Sequence, residues 1–137
     1  MKKSVVILIA LIYVASIALV GFLGLKAKSY NVIVYAESIE ILNDYSVERQ
    51  TGDKYIIFNP ASDTDKSIQL DCKIKPDNAS DKKIIYKLAK DCTTATIDQT
   101  GFLTFTTETT KPISVTVYIY SNQNITISDK IVVYYVP

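Results

Sequence analysis

From Val5 to Leu25 the chain is apolar with only Tyr13 and Ser16 as interruptions, and after Asn31 the pattern changes to short alternating stretches. A helix over the first 21 positions would be about 31 Å long, enough to cross a hydrocarbon core of roughly 30 Å. The run has no polar stripe, which a core helix of a soluble domain would show. The spacing therefore predicts a membrane-spanning or export helix followed by β-structure. Asn31 to Leu42 reads as one strand or two short ones, Asn43 to Lys54 as a polar loop, and Tyr55 to Phe58 as a short strand closed by Asn59 and Pro60. From Ser67 to Lys75, Ile68, Leu70, Cys72 and Ile74 alternate with polar residues, the clearest half-buried strand in the chain. Ile84 to Leu88, Ala95 to Asp98 and Phe102 to Thr106 are further strands. Ile113, Val115, Val117 and Ile119 alternate inward again, and Ile125 to Ile127 and Ile131 to Val136 close the chain as strands.

Short strands at regular intervals, with no helical period after Leu25, predict an all-β sandwich or barrel behind one amino-terminal helix. The chain divides into an anchor over residues 1–28 and a single β-domain over residues 29–137, long enough for one core. Lys2 and Lys3 suit a signal peptide or an uncleaved signal anchor. The length of the apolar run and the absence of a small-x-small site around Lys26, Ala27 and Lys28 favour the anchor. Lys26 and Lys28 nearly balance the positive start. The position of the segment ahead of a foldable domain points to a single-pass membrane protein with its carboxy-terminal domain outside the cytoplasm, contacting lipid through residues 5–25.

Charge narrows the partners. All 14 acidic residues lie after position 30 and four of the 15 basic ones lie before it, so the β-region carries a net charge of −3. A mildly acidic, interspersed surface is unsuited to nucleic acid, which calls for a basic stripe. The chain has no His, no phosphate-cradling Gly-rich loop and no Gly-x-Ser-x-Gly, so neither enzymatic activity nor a cofactor is expected.

The stretch from Lys75 to Thr104 carries specific motifs. Pro76, Asn78, Ala79, Ser80 and Lys83 form a Pro-x-Asn-Ala-Ser link, Ile84 and Tyr86 an apolar-x-aromatic strand, Ala95 to Asp98 an Ala-Thr-Ile-Asp strand, and Gly101 and Thr104 a glycine turn and strand. This pattern resembles the group 2 bacterial immunoglobulin-like domain, found in surface adhesins of the intimin and invasin kind and in other cell-envelope proteins. Ser38 to Ile41, Ile113 to Val117 and Ile131 to Val136 resemble its opening and closing strands. The resemblance implies an immunoglobulin-like β-sandwich serving as a binding, adhesion or envelope-assembly module. The alternative is a structural spacer held in a membrane complex through its helix. The family's usual Gly before Ile113 is replaced by Thr110, Lys111 and Pro112. In this scaffold Pro76 ends a strand, Tyr86 and Ile97 fill the interior, and Gly101 permits a positive-φ turn.

Cys72 and Cys92 are the only cysteines. Export and an even count allow a disulfide; the alternation around Cys72 equally allows a buried free thiol, and both readings stand. Two thiols without His fall short of a zinc site, so no metal is expected. Asp63 to Ser67 resembles the start of a calcium loop but lacks its central Gly and its twelfth ligand, leaving a solvated loop. Asn78 to Ser80 and Asn124 to Thr126 are formal glycosylation acceptors read as turn residues. Tyr118 and Tyr120 point outward if Val117 and Ile119 point inward, which suits contact with a protein or glycan partner. The plainer reading is that Tyr134 or Tyr35 lies on the neighbouring strand and the rings cover one another.

Overall fold

The computed structural model describes residues 2–25, 31–61, 66–106 and 110–137. Lys26 and Lys28, and Asp63 to Asp65 of the calcium-like stretch, lie outside them. Two compact units are present, Met1–Val32 and Ile33–Pro137. The first holds helix α1, Lys3–Leu25, 23 residues long. Its side chains from Val5 to Leu23 are exposed on every side, and the Ser16 hydroxyl donates to the Ile12 carbonyl at 2.8 Å, so this serine needs no outside acceptor. The helix is long and apolar enough to cross a membrane, a property that a signal sequence near an amino terminus shares.

The second unit is all β. Its strands are β1 (Ser38–Ile41), β2 (Ser46–Val47), β3 (Lys54–Phe58), β4 (Ser67–Gln69), β5 (Cys72–Lys75), β6 (Ile84–Leu88), β7 (Ala95–Ile97), β8 (Phe102–Phe105), β9 (Ile113–Ser121) and β10 (Ser128–Tyr135). The largest sheet has the order β2-β3-β10-β9-β6, and two smaller sheets have the orders β1-β5 and β4-β8-β7. All pairings are antiparallel except β3 with β10, which run parallel with Ile57 opposite Tyr134.

One core joins the sheets. Ile74, Leu103 and Phe105 from the small sheets, together with Leu70, meet Val117, Ile119, Ile131, Val133 and Tyr135 from the large one in a single buried cluster. Each fully buried aliphatic side chain contributes roughly 1.5–3 kcal/mol relative to exposure. The Phe105 ring lies 4.9 Å from Tyr135 and 6.1 Å from Phe58, joining the three-stranded sheet to the five-stranded one.

Four expectations are corrected. Ser67 to Lys75 is two strands, because the chain leaves the three-stranded sheet after Gln69 and enters the two-stranded sheet at Cys72; the alternation persists, with Leu70 and Ile74 buried. Ile125 to Ile127 is a turn, because the Asn124 side-chain oxygen accepts from the Thr126 amide at 3.0 Å and hydroxyl at 2.7 Å. The loop before Tyr55 contains β2, folded back through a turn at Gly52, whose φ is +73°. Asn31 to Glu37 is extended but joins no ladder; Val34 exchanges two bonds with Ser80, and the Ala36 amide donates to the Gln123 side chain at 2.9 Å.

Candidate functional site

The register of the large sheet sorts its side chains. Val115, Val117 and Ile119 of β9, and Ile131, Val133 and Tyr135 of β10, point into the core, so Ser114, Thr116, Tyr118 and Tyr120, and Lys130, Val132 and Tyr134, form the outer face. β3 adds Tyr55 and Ile57 to that face, and β6 adds Ile85 and Lys87. Ile57 is 59% exposed, Tyr134 38% and Tyr118 37%. The Tyr55 and Tyr134 rings meet edge to face at 5.8 Å, and with Ile57, Val136 and Glu48 they line an open hollow of about 380 Å³. Tyr120, Ile85, Lys87 and Ile125 line a second of about 230 Å³.

Tyr118 stands between two lysines, opposite Lys130 on β10 and Lys87 on β6. Lys130 is held by Asp53 at 2.9 Å, which raises its ammonium and lowers the Asp53 carboxyl from their ordinary values. Lys87 sits 5.8 Å from the centre of the Tyr120 ring, a cation–π contact. Tyr134 lies opposite Ser114, so tyrosine does not face tyrosine at Tyr118 or Tyr120; Lys130 and Lys87 stand opposite Tyr118, and Ser128 and Ile85 opposite Tyr120. The face therefore exposes rings, hydroxyls and held lysines side by side.

Alternation alone assigns Tyr118 and Tyr120 to the outer face, whereas Tyr55, Ile57 and Tyr134 are grouped only by strand pairing. The signal was there: Tyr55 to Phe58 and Ile131 to Val136 are apolar on both faces. What the pattern lacked was their parallel pairing, between residues 77 apart in sequence, which places the two runs side by side.

The two cysteines are free thiols. Cys72 is half-buried on the inner side beside the Tyr86 hydroxyl. Burial foremost, with Asp129 and Asp71 nearby, pushes its thiol up to about 11, against the lowering effects of Tyr86 and Lys54. Burial likewise raises the Tyr86 hydroxyl. Lys54 and Asp129 pair at this edge. Cys92 lies elsewhere, its sulfur 3.8 Å from the Thr94 hydroxyl. The disulfide alternative therefore gives way to two separate thiols, and the high value of Cys72 suits a packing residue rather than a nucleophile.

Pro76 follows β5 and its carbonyl accepts from the Ala79 amide at 2.9 Å; Ile97, at the end of β7, is partly buried against the core. Gly101 has φ +86°, and a Cβ there would stand 2.6 Å from the Leu70 carbonyl oxygen and 2.7 Å from Tyr86 Cζ. Among the described residues no group of three or more His, Cys, Asp or Glu could hold a metal ion. No protein-family model matches the chain, and no curated protein matches it either.

Proposed function

We propose that the chain is a single-pass envelope protein whose immunoglobulin-like sandwich stands outside the cytoplasm and works by surface complementarity, binding another envelope protein or a glycan through the outer face of its large sheet. The observation that carries this reading is the aromatic and aliphatic face built by Tyr55, Ile57, Tyr118 and Tyr134, on a domain whose chain also holds a membrane-length apolar helix. Exposed rings flanked by fixed lysines are a contact surface, and isolated exposed apolar residues would not have been. Three sheets that share one buried core, with a positive-φ turn at Gly101 packed against Leu70 and Tyr86, support the sandwich assignment.

Two measurements test it. A tag after Pro137 is removed when protease is added to intact cells; a protected tag places the domain in the cytoplasm and ends the adhesion reading. Cross-linking in membranes followed by pull-down captures a partner that is lost in an Ile57→Asp, Tyr134→Ala chain. A partner retained by that chain and by the helix alone would replace the binding role with that of a spacer.

A further inference from the structure

We infer that the hollow over β3 and β10 receives an arginine side chain of a protein partner; the inference rests on the contact face proposed above and names the chemistry that face recognises. Glu48, Tyr55, Ile57, Tyr134 and Val136 line the hollow, and among them Glu48 alone carries a formal charge. The Tyr55 and Tyr134 rings stand at 84° to each other, so their faces look in two directions. Ring faces are regions of negative potential. A carboxylate beside two of them gives the hollow one electrostatic sign.

Glu48 reaches this place through the β2–β3 hairpin. It lies two residues on from Ser46, which stands opposite Tyr55, and so falls on the outer face. Its amide donates to the Asp53 carbonyl and its carbonyl accepts from the Gly52 amide, both at 2.9 Å, so its main chain is held on two sides. One carboxylate oxygen accepts from the Thr51 hydroxyl at 3.3 Å. The neighbouring lysines are taken: Lys54 pairs with Asp129, and Lys130 with Asp53. Among the described residues no lysine or arginine pairs with Glu48, which leaves its charge for a partner to complete.

Arginine matches this lining. Its guanidinium is planar, stacks on aromatic faces, forks onto a carboxylate and is more weakly hydrated than an ammonium. Ile57 and Val136 offer apolar cover to its aliphatic stem. A glycan would meet few hydrogen-bonding side chains here, Glu48 and two phenols.

The test titrates N-acetylarginine amide into the full chain, isotope-labelled in its tyrosine rings and held in a polyoxyethylene detergent, which carries neither sugar nor cation. Single Tyr→Phe chains assign the ring signals by nuclear magnetic resonance. The expected result is that the Tyr55 and Tyr134 signals move and saturate, while those of Tyr118 and Tyr120, beside Lys130 and Lys87, stay in place. N-acetylcitrulline amide, neutral and of nearly the same shape, moves none of them. In Glu48→Gln the arginine affinity falls about fivefold, the scale of a well-placed exposed ion pair. Glu48 is exposed, and an unchanged spectrum of the other tyrosines shows that this variant is folded. Equal shifts from the citrulline probe, no shift from either probe, or an affinity unchanged in Glu48→Gln overturns the arginine assignment. Shifts from methyl glucoside alone replace it with a glycan. The contact face itself is judged separately, since it fails only if the Ile57→Asp, Tyr134→Ala chain keeps its cross-linked partner.

Discussion

Replacing Gly101 with Ala should be the most damaging single-methyl change in the β-domain. Two separate costs add. At φ +86° an L-residue is outside its ordinary range, which costs about 1–2 kcal/mol. The new Cβ would also sit 2.6 Å from the Leu70 carbonyl oxygen and 2.7 Å from Tyr86 Cζ, distances that real Cβ atoms essentially never show. Neither neighbour yields easily. Leu70 is fully buried and its amide is bonded to the Gly101 carbonyl at 2.9 Å, and the Tyr86 ring is packed against the core. Overpacking of this kind costs about 1–3 kcal/mol. The reduced freedom of the unfolded chain returns about 0.4–1 kcal/mol, so the net loss is about 2–4 kcal/mol. For a domain of about 100 residues that lowers the Tm by roughly 10–20 °C. Near-UV circular dichroism of the ten tyrosines in detergent-solubilised full chain follows the transition. Gly52→Ala is the control: its φ is +73° and nothing lies within 4 Å of the added methyl, so it carries the backbone cost alone. If Gly101→Ala destabilises no more than Gly52→Ala, the proposed contact with Leu70 and Tyr86 plays no part.

The other predictions concern polar groups. Asn43→Ala removes the bonds from its side chain to the Gln69 carbonyl and from the Asp71 amide, at 2.9 and 2.7 Å, and should cost about 1–3 kcal/mol in urea unfolding; Asn43→Asp, which keeps only the acceptor, should fall between. Ser121 is fully buried and its hydroxyl has no protein partner, so Ser121→Ala should leave stability unchanged or raise it by about 1 kcal/mol, read from the same curves. Cys72 binds its proton more tightly folded than unfolded, so its contribution to stability is complete below about pH 9.0 and lost as pH rises towards about 11; native alkylation of Cys72 should be slow at pH 8 and should accelerate across that window. Asp98, held by the Thr100 hydroxyl and the Phe102 amide, has its carboxyl lowered. It therefore stabilises above its ordinary value of 3.8 and stops doing so as pH falls through the folded value, an effect that Asp98→Asn should remove from an acid titration of unfolding.

Much of the β-domain was legible because burial on one face leaves a period of two in the chain. β9 shows it over nine residues, and its inward set of Val115, Val117 and Ile119 is the set that the alternation selects. The apolar run before Leu25 was as legible for the opposite reason, having no period at all. What the pattern could not carry was partnership. A residue's facing is local, whereas pairing depends on chain that lies far away. Tyr55 to Phe58 alternates too little to reveal which face is wet, and nothing within it shows that β10 will run parallel to it. The missed outer hollow follows from that one unreadable contact. Ile125 to Ile127 failed differently: two isoleucines suggested a strand, and the Asn124 side chain bonded the backbone into a turn instead.

The divided strand between Ser67 and Lys75 explains why the glycine and the asparagine matter. A chain that passes from one sheet to another leaves its crossing residues without ladder partners, and buried backbone groups cannot be left so. Each group at this crossing has a partner. The Gln69 carbonyl accepts from Asn43, the Leu70 amide donates to Gly101, the Leu70 carbonyl accepts from the Gln69 side chain at 3.1 Å, the Asp71 amide donates to Asn43, and the Asp71 carbonyl accepts from the Leu42 amide at 2.8 Å. Leu70 can then be fully buried at the point where both small sheets meet the large one, since its main chain is satisfied on both sides. The close approach of Gly101 to the Leu70 carbonyl is a consequence of that arrangement: the turn must come near enough to replace a strand, and a side chain at its apex would hold it off.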